Sequence, residues 1–148
     1  MQKLKILNRK EIKKIIELIK KQWDSDVELD YVFLKNEKGK LFIVNRDIEK
    51  VDLSKVRVNS IGMYFGLLND NELRHSIEGS QIVGRNAKKN VLELNEKESK
   101  EWLRGEDLLK VEEKGFMIIK HKDDFLGCGK STGEKVLNFV SKIRRVNI

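Results

Sequence analysis

A chain of 148 residues with 39% hydrophobic side chains can build one ordinary domain or two very small ones around a real core. Its formal net charge is +7. No run approaches the ~18 apolar residues of a membrane span, and the Lys-rich start lacks the apolar stretch of a signal peptide, so a cytoplasmic protein is expected. One cysteine, Cys128, excludes an internal disulfide, and with His75 and His121 the only histidines, no metal and no cofactor is expected.

Asn8 with Glu11 three residues on has the spacing of a capping box, and Ile12, Ile15, Ile16, Ile19 and Trp23 then fall on one helical face. Lys10, Lys13, Lys14 and Lys21 lie opposite, as a solvated face. Leu29 to Leu34 and Lys40 to Val44 are β-rich runs around Asn36-Glu37-Lys38-Gly39, a hairpin signal. Residues 46–50 suit a short helix, and Val56 to Leu67 a strand punctuated by Gly62 and Gly66. Of Tyr64 and Phe65, one must face inward because strand side chains alternate; the other could stack on a base. From Leu73 to Val83 periodicity does not choose between strand, helix or one after the other.

Val91 to Leu94 is a short strand, after which Asn95 and Glu98 repeat the capping-box spacing for a helix ending at Arg104, with Gly105 as its left-handed cap. Leu108 to Val111 and a segment near Ile143 to Ile148 read as further short strands. Between them Phe116 to Lys120, a polar turn and Phe125 to Lys130 form a hairpin. Gly127 and Gly129, at i and i+2 in its return strand, suggest a bulge or the close approach of a backbone or ligand. Short strands at close spacing point to a small barrel.

The positive charge is concentrated. Residues 1–26 hold eight Lys/Arg against four acids, 84–90 hold Arg85, Lys88 and Lys89 with no acid, and 126–148 hold five basic residues against Glu134. That distribution fits a polyanion partner and equally a well-solvated basic surface. Gly129-Lys130-Ser131-Thr132 resembles the end of a phosphate-binding loop, but Asp124 stands where the first glycine belongs and would repel phosphate. Nucleotide hydrolysis is therefore rejected. Cys128 reads as a small buried thiol, since nothing nearby marks a nucleophile elbow or an activating base. His121 sits in a polar turn; His75 could bond internally or touch RNA.

Several of these stretches resemble a known family: Val91-Leu92-Glu93-Leu94, Trp102-Leu103-Arg104-Gly105-Glu106, Gly115-Phe116, Phe125-Leu126-Gly127-Cys128-Gly129-Lys130, Leu137-Asn138 and Arg144-Arg145. They are similar to the PUA-like RNA-binding domain at the C-terminus of Sun/Fmu-type ribosomal RNA cytosine methyltransferases. The earlier part, through Ser60-Ile61-Gly62-Met63-Tyr64-Phe65-Gly66, is more loosely similar to the α/β pre-domain of ribosome-biogenesis proteins made of a pre-PUA and a PUA domain. The resemblance implies an α+β fold, with a small mixed α/β pre-domain over 1–88 packed on a PUA-like β-barrel over 89–148.

It also implies a function. The expectation is non-catalytic binding of structured RNA, ribosomal or transfer RNA, in ribosome biogenesis or RNA modification. The methyltransferase body, with its glycine-rich cofactor loop and catalytic cysteine motif, has no counterpart in the sequence. Arg85, Lys88, Lys89, Lys130, Lys142, Arg144 and Arg145 are the candidate RNA contacts, Arg144 foremost because its planar fork suits a phosphate. The alternative is a protein-interaction module that docks a separate methyltransferase or biogenesis factor, which an exposed apolar patch would favour.

Overall fold

A computed structural model describes residues 3–46 and 62–146; the short helix expected over 46–50 and the first part of the strand expected from Val56 lie almost wholly outside these. The fold is α+β, with two sheets sharing one continuous interior. The first sheet is an antiparallel meander of β1 (Lys5–Ile6), β2 (Val32–Lys35), β3 (Lys40–Val44), β4 (Met63–Asn69) and β5 (Glu72–His75). Its β2–β3 turn closes because the Asn36 side-chain oxygen accepts from the Lys38 and Lys40 amides at 3.0 and 2.9 Å, while Gly39 takes φ +89°.

Helix α1 (Arg9–Trp23) starts at the expected capping box: the Glu11 amide donates to the Asn8 side chain at 2.9 Å and the Asn8 amide to the Glu11 carboxylate at 3.2 Å. Its apolar stripe buries Ile15, Ile19 and Trp23. The Gln22 side chain then exchanges two hydrogen bonds with the Leu73 backbone, fastening the helix end to the edge strand β5.

The ambiguous stretch resolves into strand followed by helix, and Ser76 is the switch. Its hydroxyl accepts from the Gly79 amide at 2.9 Å and so caps α2 (Ile77–Gly84) directly after β5. The side of α2 formed by Gly79, Ser80, Val83 and Gly84 is buried. A Cβ on Gly79 would fall 2.1 Å from the Phe65 carbonyl oxygen of β4, and one on Gly84 would fall 2.5 Å from the Phe125 ring of the other sheet. Small residues thus let one short helix touch both halves at once.

The second sheet runs β6 (Val91–Glu93), β7 (Gly115–His121), β8 (Asp124–Ser131) and β9 (Val136–Leu137), with β6 and β7 parallel and the other pairs antiparallel. Helix α3 (Glu96–Leu103) follows β6 from the second capping box, Asn95 with Glu98, and ends at Gly105 with φ +94° as expected. Two expected strands do not form among the described residues. From Leu108 to Val111 only Leu108 pairs, in a single bridge to Val136, and the closing segment makes a 3-10 turn over Lys142–Arg144. There the chain is held by a side chain and an isolated backbone bond instead of a ladder: the Asn138 side chain donates to the Trp102 and Glu106 carbonyls at 2.8 Å, and the Val146 amide donates to the Leu103 carbonyl at 3.0 Å.

The β7–β8 hairpin sits in the middle of the molecule. One face carries Met117 and Ile119 against Trp102, Leu108 and Val136; the other carries Ile118, Phe125 and Cys128 against Trp23, Phe65 and Val83. The glycines divide between the two faces, not side by side on a bare one. Gly127 forms a bulge, Leu126 and Gly127 together standing opposite Ile119, with φ +109° and its amide bonded to the Ser80 hydroxyl at 3.0 Å. Gly129 faces the interior, where a Cβ would lie 2.6 Å from Val136 and 2.7 Å from the Trp102 ring.

Candidate nucleic-acid interface

Three of the expected RNA contacts come together between the end of α2 and the second sheet. The end of α2 delivers Arg85, and the link to β6 delivers Lys88 and Lys89, whose amides both donate to the Trp23 carbonyl, at 2.9 and 3.3 Å. Asn90 follows in the left-handed conformation, φ 56°, with its side-chain amide bonded to the Gln22 carbonyl. The backbone carrying these cations is therefore fixed to α1, although all three side chains are exposed. They line an open groove of about 330 Å³ together with Lys120, whose ammonium lies 5.6 Å from the Phe125 ring centre. Glu93 is the acid among its lining residues. Lys88 also lies 3.6 Å from Asp26, a carboxyl held below its ordinary range first by its hydrogen bond to Lys20.

Lys130 stands apart. It is exposed on β8 directly opposite Phe116 of β7, with its ammonium 5.3 Å from that ring centre. Lys142, Arg144 and Arg145 occupy the closing segment and are differently engaged. The Lys142 side chain is exposed with no hydrogen bond or ion pair among the described residues, Arg144 pairs with Glu78 in the first turn of α2, and Arg145 donates from Nε to the Val140 carbonyl at 3.1 Å. Since Glu78 and Arg85 mark opposite ends of α2, the groove and the closing segment lie about 10 Å apart along that helix.

Cys128 and His75 are buried, whereas His121 at the end of β7 is half-buried. Cys128 is 3% exposed, and burial pushes its thiol up to about 12, far from the thiolate a nucleophile needs. His75 is 4% exposed, its ring 4.2 Å from that of Trp23, and burial holds it down to about 3, so it is neutral at pH 7. Burial removes it from contact with RNA. Among the described residues no three His, Cys, Asp or Glu side chains gather into a metal site, and no helix is long and apolar enough to cross a membrane.

Sequence reasoning overlooked Lys120, which closes an otherwise apolar strand and so read as its polar end, and Arg74, which lay in the undecided stretch. Of Tyr64 and Phe65, Phe65 is fully buried and Tyr64 half-buried beside Phe42, their ring centres 5.7 Å apart. Phe139, 37% exposed, is the more accessible aromatic, and the Arg74 guanidinium lies 4.2 Å from its ring centre.

No curated protein matches the chain. Residues 89–146, from the groove lysine Lys89 through α3 and the second sheet, match the family model of the methyltransferase RsmF PUA domain, so this stretch, less than half of the chain, is similar to the PUA-like domain at the C-terminus of the Sun/Fmu-type enzymes.

Proposed function

We propose that this protein is a non-catalytic, cytoplasmic binder of structured RNA, ribosomal or transfer RNA, serving ribosome biogenesis or RNA modification. The PUA-like domain over 89–146 carries the choice of RNA. In this reading residues 1–88 are a pre-domain, residues 89–148 the RNA-binding domain, and the groove of Arg85, Lys88, Lys89 and Lys120 its principal phosphate contact. Exposed cations on an anchored backbone suit recognition of A-form RNA through phosphates and 2′-hydroxyls, by shape more than by sequence. Lys130 and Lys142 are additional contacts; Arg144 and Arg145 serve only as far as their bonds to Glu78 and Val140 allow.

The test is binding to a stable RNA hairpin over a range of salt. Each phosphate neutralised contributes a slope of roughly −0.7 to −0.9 in the logarithms, so contacts from Arg85, Lys88 and Lys89 require a steep fall in affinity that flattens when all three are changed to Glu. A flat response in the parent protein, or no binding at low salt, overturns the reading. One observation favours the alternative of a protein-docking module: Leu109 and Val111, two residues apart ahead of β7, are 89% and 80% exposed.

A further inference from the structure

A second concave site lies away from the basic groove, where the first sheet parts from the β7–β8 hairpin. Two adjoining hollows of about 550 and 490 Å³ share Asn71, Glu72, Phe116 and Lys130 as lining and so form one cleft. One wall is the β4–β5 turn, residues 69–72, and the other is the start of β7 with the end of β8. Two neighbouring aromatic rings lie along it with a cation at each end. Arg74 lies 4.2 Å from the Phe139 ring centre, Phe139 is 6.4 Å from Phe116, and Phe116 is 5.3 Å from the Lys130 ammonium.

The distribution of charge in the cleft gives it a direction. Asn69 and Asp70 line only the hollow at the turn, with Arg74, and Lys21 and Lys114 only the other, whereas Asn71, Glu72 and Lys130 stand at the junction and line both. Carboxylates exclude a phosphate from the turn wall but accept hydrogen bonds from the exocyclic amine of a base, and the asparagine amides suit base edges. Lysines on the opposite side suit the backbone of the same nucleotide. Rings between the two are where a base would stack, and stacking on aromatic side chains with flanking cations is how unpaired nucleotides are held. The Lys130 ammonium is at the outer range of a cation–π contact, so it can turn to a phosphate as a base takes the ring face.

We propose that this cleft binds an unpaired RNA nucleotide, with its base against Phe139 and Phe116 and its phosphate on the lysine side. The proposal rests on the RNA-binding reading and deepens it: the groove holds a duplex by its phosphates, and the cleft takes a single-stranded extension or an extruded base. The duplex alone then leaves the cleft empty.

The experiment compares one RNA hairpin in two forms, blunt and with a 3′ oligo(A) tail carrying 2-aminopurine. The parent protein should bind the tailed form about tenfold more tightly, and saturation should quench the 2-aminopurine through stacking. Phe139→Leu, which keeps an apolar side chain but removes the ring, should abolish both the preference and the quenching while blunt-hairpin affinity is unchanged. Equal binding of the two forms, or no quenching at saturation with the parent protein, overturns the cleft proposal and leaves duplex binding standing; this comparison needs no variant to fold. Failure to bind either RNA overturns both readings.

Discussion

The Arg145 guanidinium fills the space in which a side chain at Gly105 would have to stand: a Cβ built on Gly105 would fall 2.2 Å from Arg145 Nε. Gly105 ends α3 in the left-handed region, and Arg145 lies over that end while bonding the Val140 carbonyl. A cation placed beside a helix C-terminus is also favoured by the helix dipole.

Arg145 is thus part of what holds the closing segment. Arg145→Glu should lower stability by about 1–2 kcal/mol, through the lost hydrogen bond and an anion at the helix end. Arg144→Glu should have a smaller effect of the same sign, because it sets two carboxylates against each other at Glu78. Lys142→Glu should leave the melting temperature unchanged. Thermal melts run beside RNA titrations separate the three, and a binding defect at Arg145 counts toward RNA contact only if its melt matches the parent protein.

The two hairpin glycines should both be intolerant, for different reasons. At Gly129 an added Cβ meets Val136, Trp102 and, at 2.9 Å, the backbone oxygen of Leu137, which cannot swing aside. Gly129→Ala should therefore cost about 2–3 kcal/mol by overpacking. At Gly127 the nearest atom is 3.4 Å away on Ile77, so the cost is that of holding alanine at φ +109°, about 1–2 kcal/mol. Chemical denaturation should rank Gly129→Ala as the less stable of the two.

His75 sets a pH dependence of stability. Its folded value, about 3, lies below the ordinary 6.5, so between these limits the unfolded chain binds more protons than the folded one. The stabilisation is complete above about pH 6.5 and is lost as pH falls toward 3. The unfolding free energy should drop by about 1.4 kcal/mol per pH unit between about pH 6 and 5, above the range where carboxylates titrate. His75→Leu should flatten that slope whatever it does to absolute stability. An unchanged slope in the variant would assign the pH response to other groups.

Elements defined by local chemistry were legible in the sequence. Both capping boxes, the Asn36 turn, the Gly105 cap and the β7–β8 hairpin depend on residues within a few positions of one another, and each formed as its residues require. The strand-to-helix switch at Ser76 was one of the alternatives left open, because Gly79 argues against a helix by propensity alone, whereas its close approach to Phe65 is a tertiary requirement. The closing segment was misread as strand because its apolar residues suggested a ladder, while Asn138 holds it by bonds to the distant Trp102 and Glu106 carbonyls and Arg145 by a bond to the nearby Val140 carbonyl. Arg85, Lys88 and Lys89 could be gathered from a charge run; the cleft could not, since Arg74, Phe116, Lys130 and Phe139 meet only after the sheets have packed.

The small-residue face of α2 has a bearing on how this chain could have been assembled. A recombination joint placed just before residue 89 would keep every position of the family match but discard Ser80, the acceptor for the Gly127 amide, and Gly84, the seat of the Phe125 ring. Ile118, Phe125 and Cys128 would then be left against water with nothing to replace Trp23, Phe65 and Val83. The portable unit is longer than the recognisable one. A fragment starting at residue 89 would need α2, or another short helix with an equally bare side, to cover that face, so the boundary of the family match and the boundary enforced by cooperative folding need not coincide.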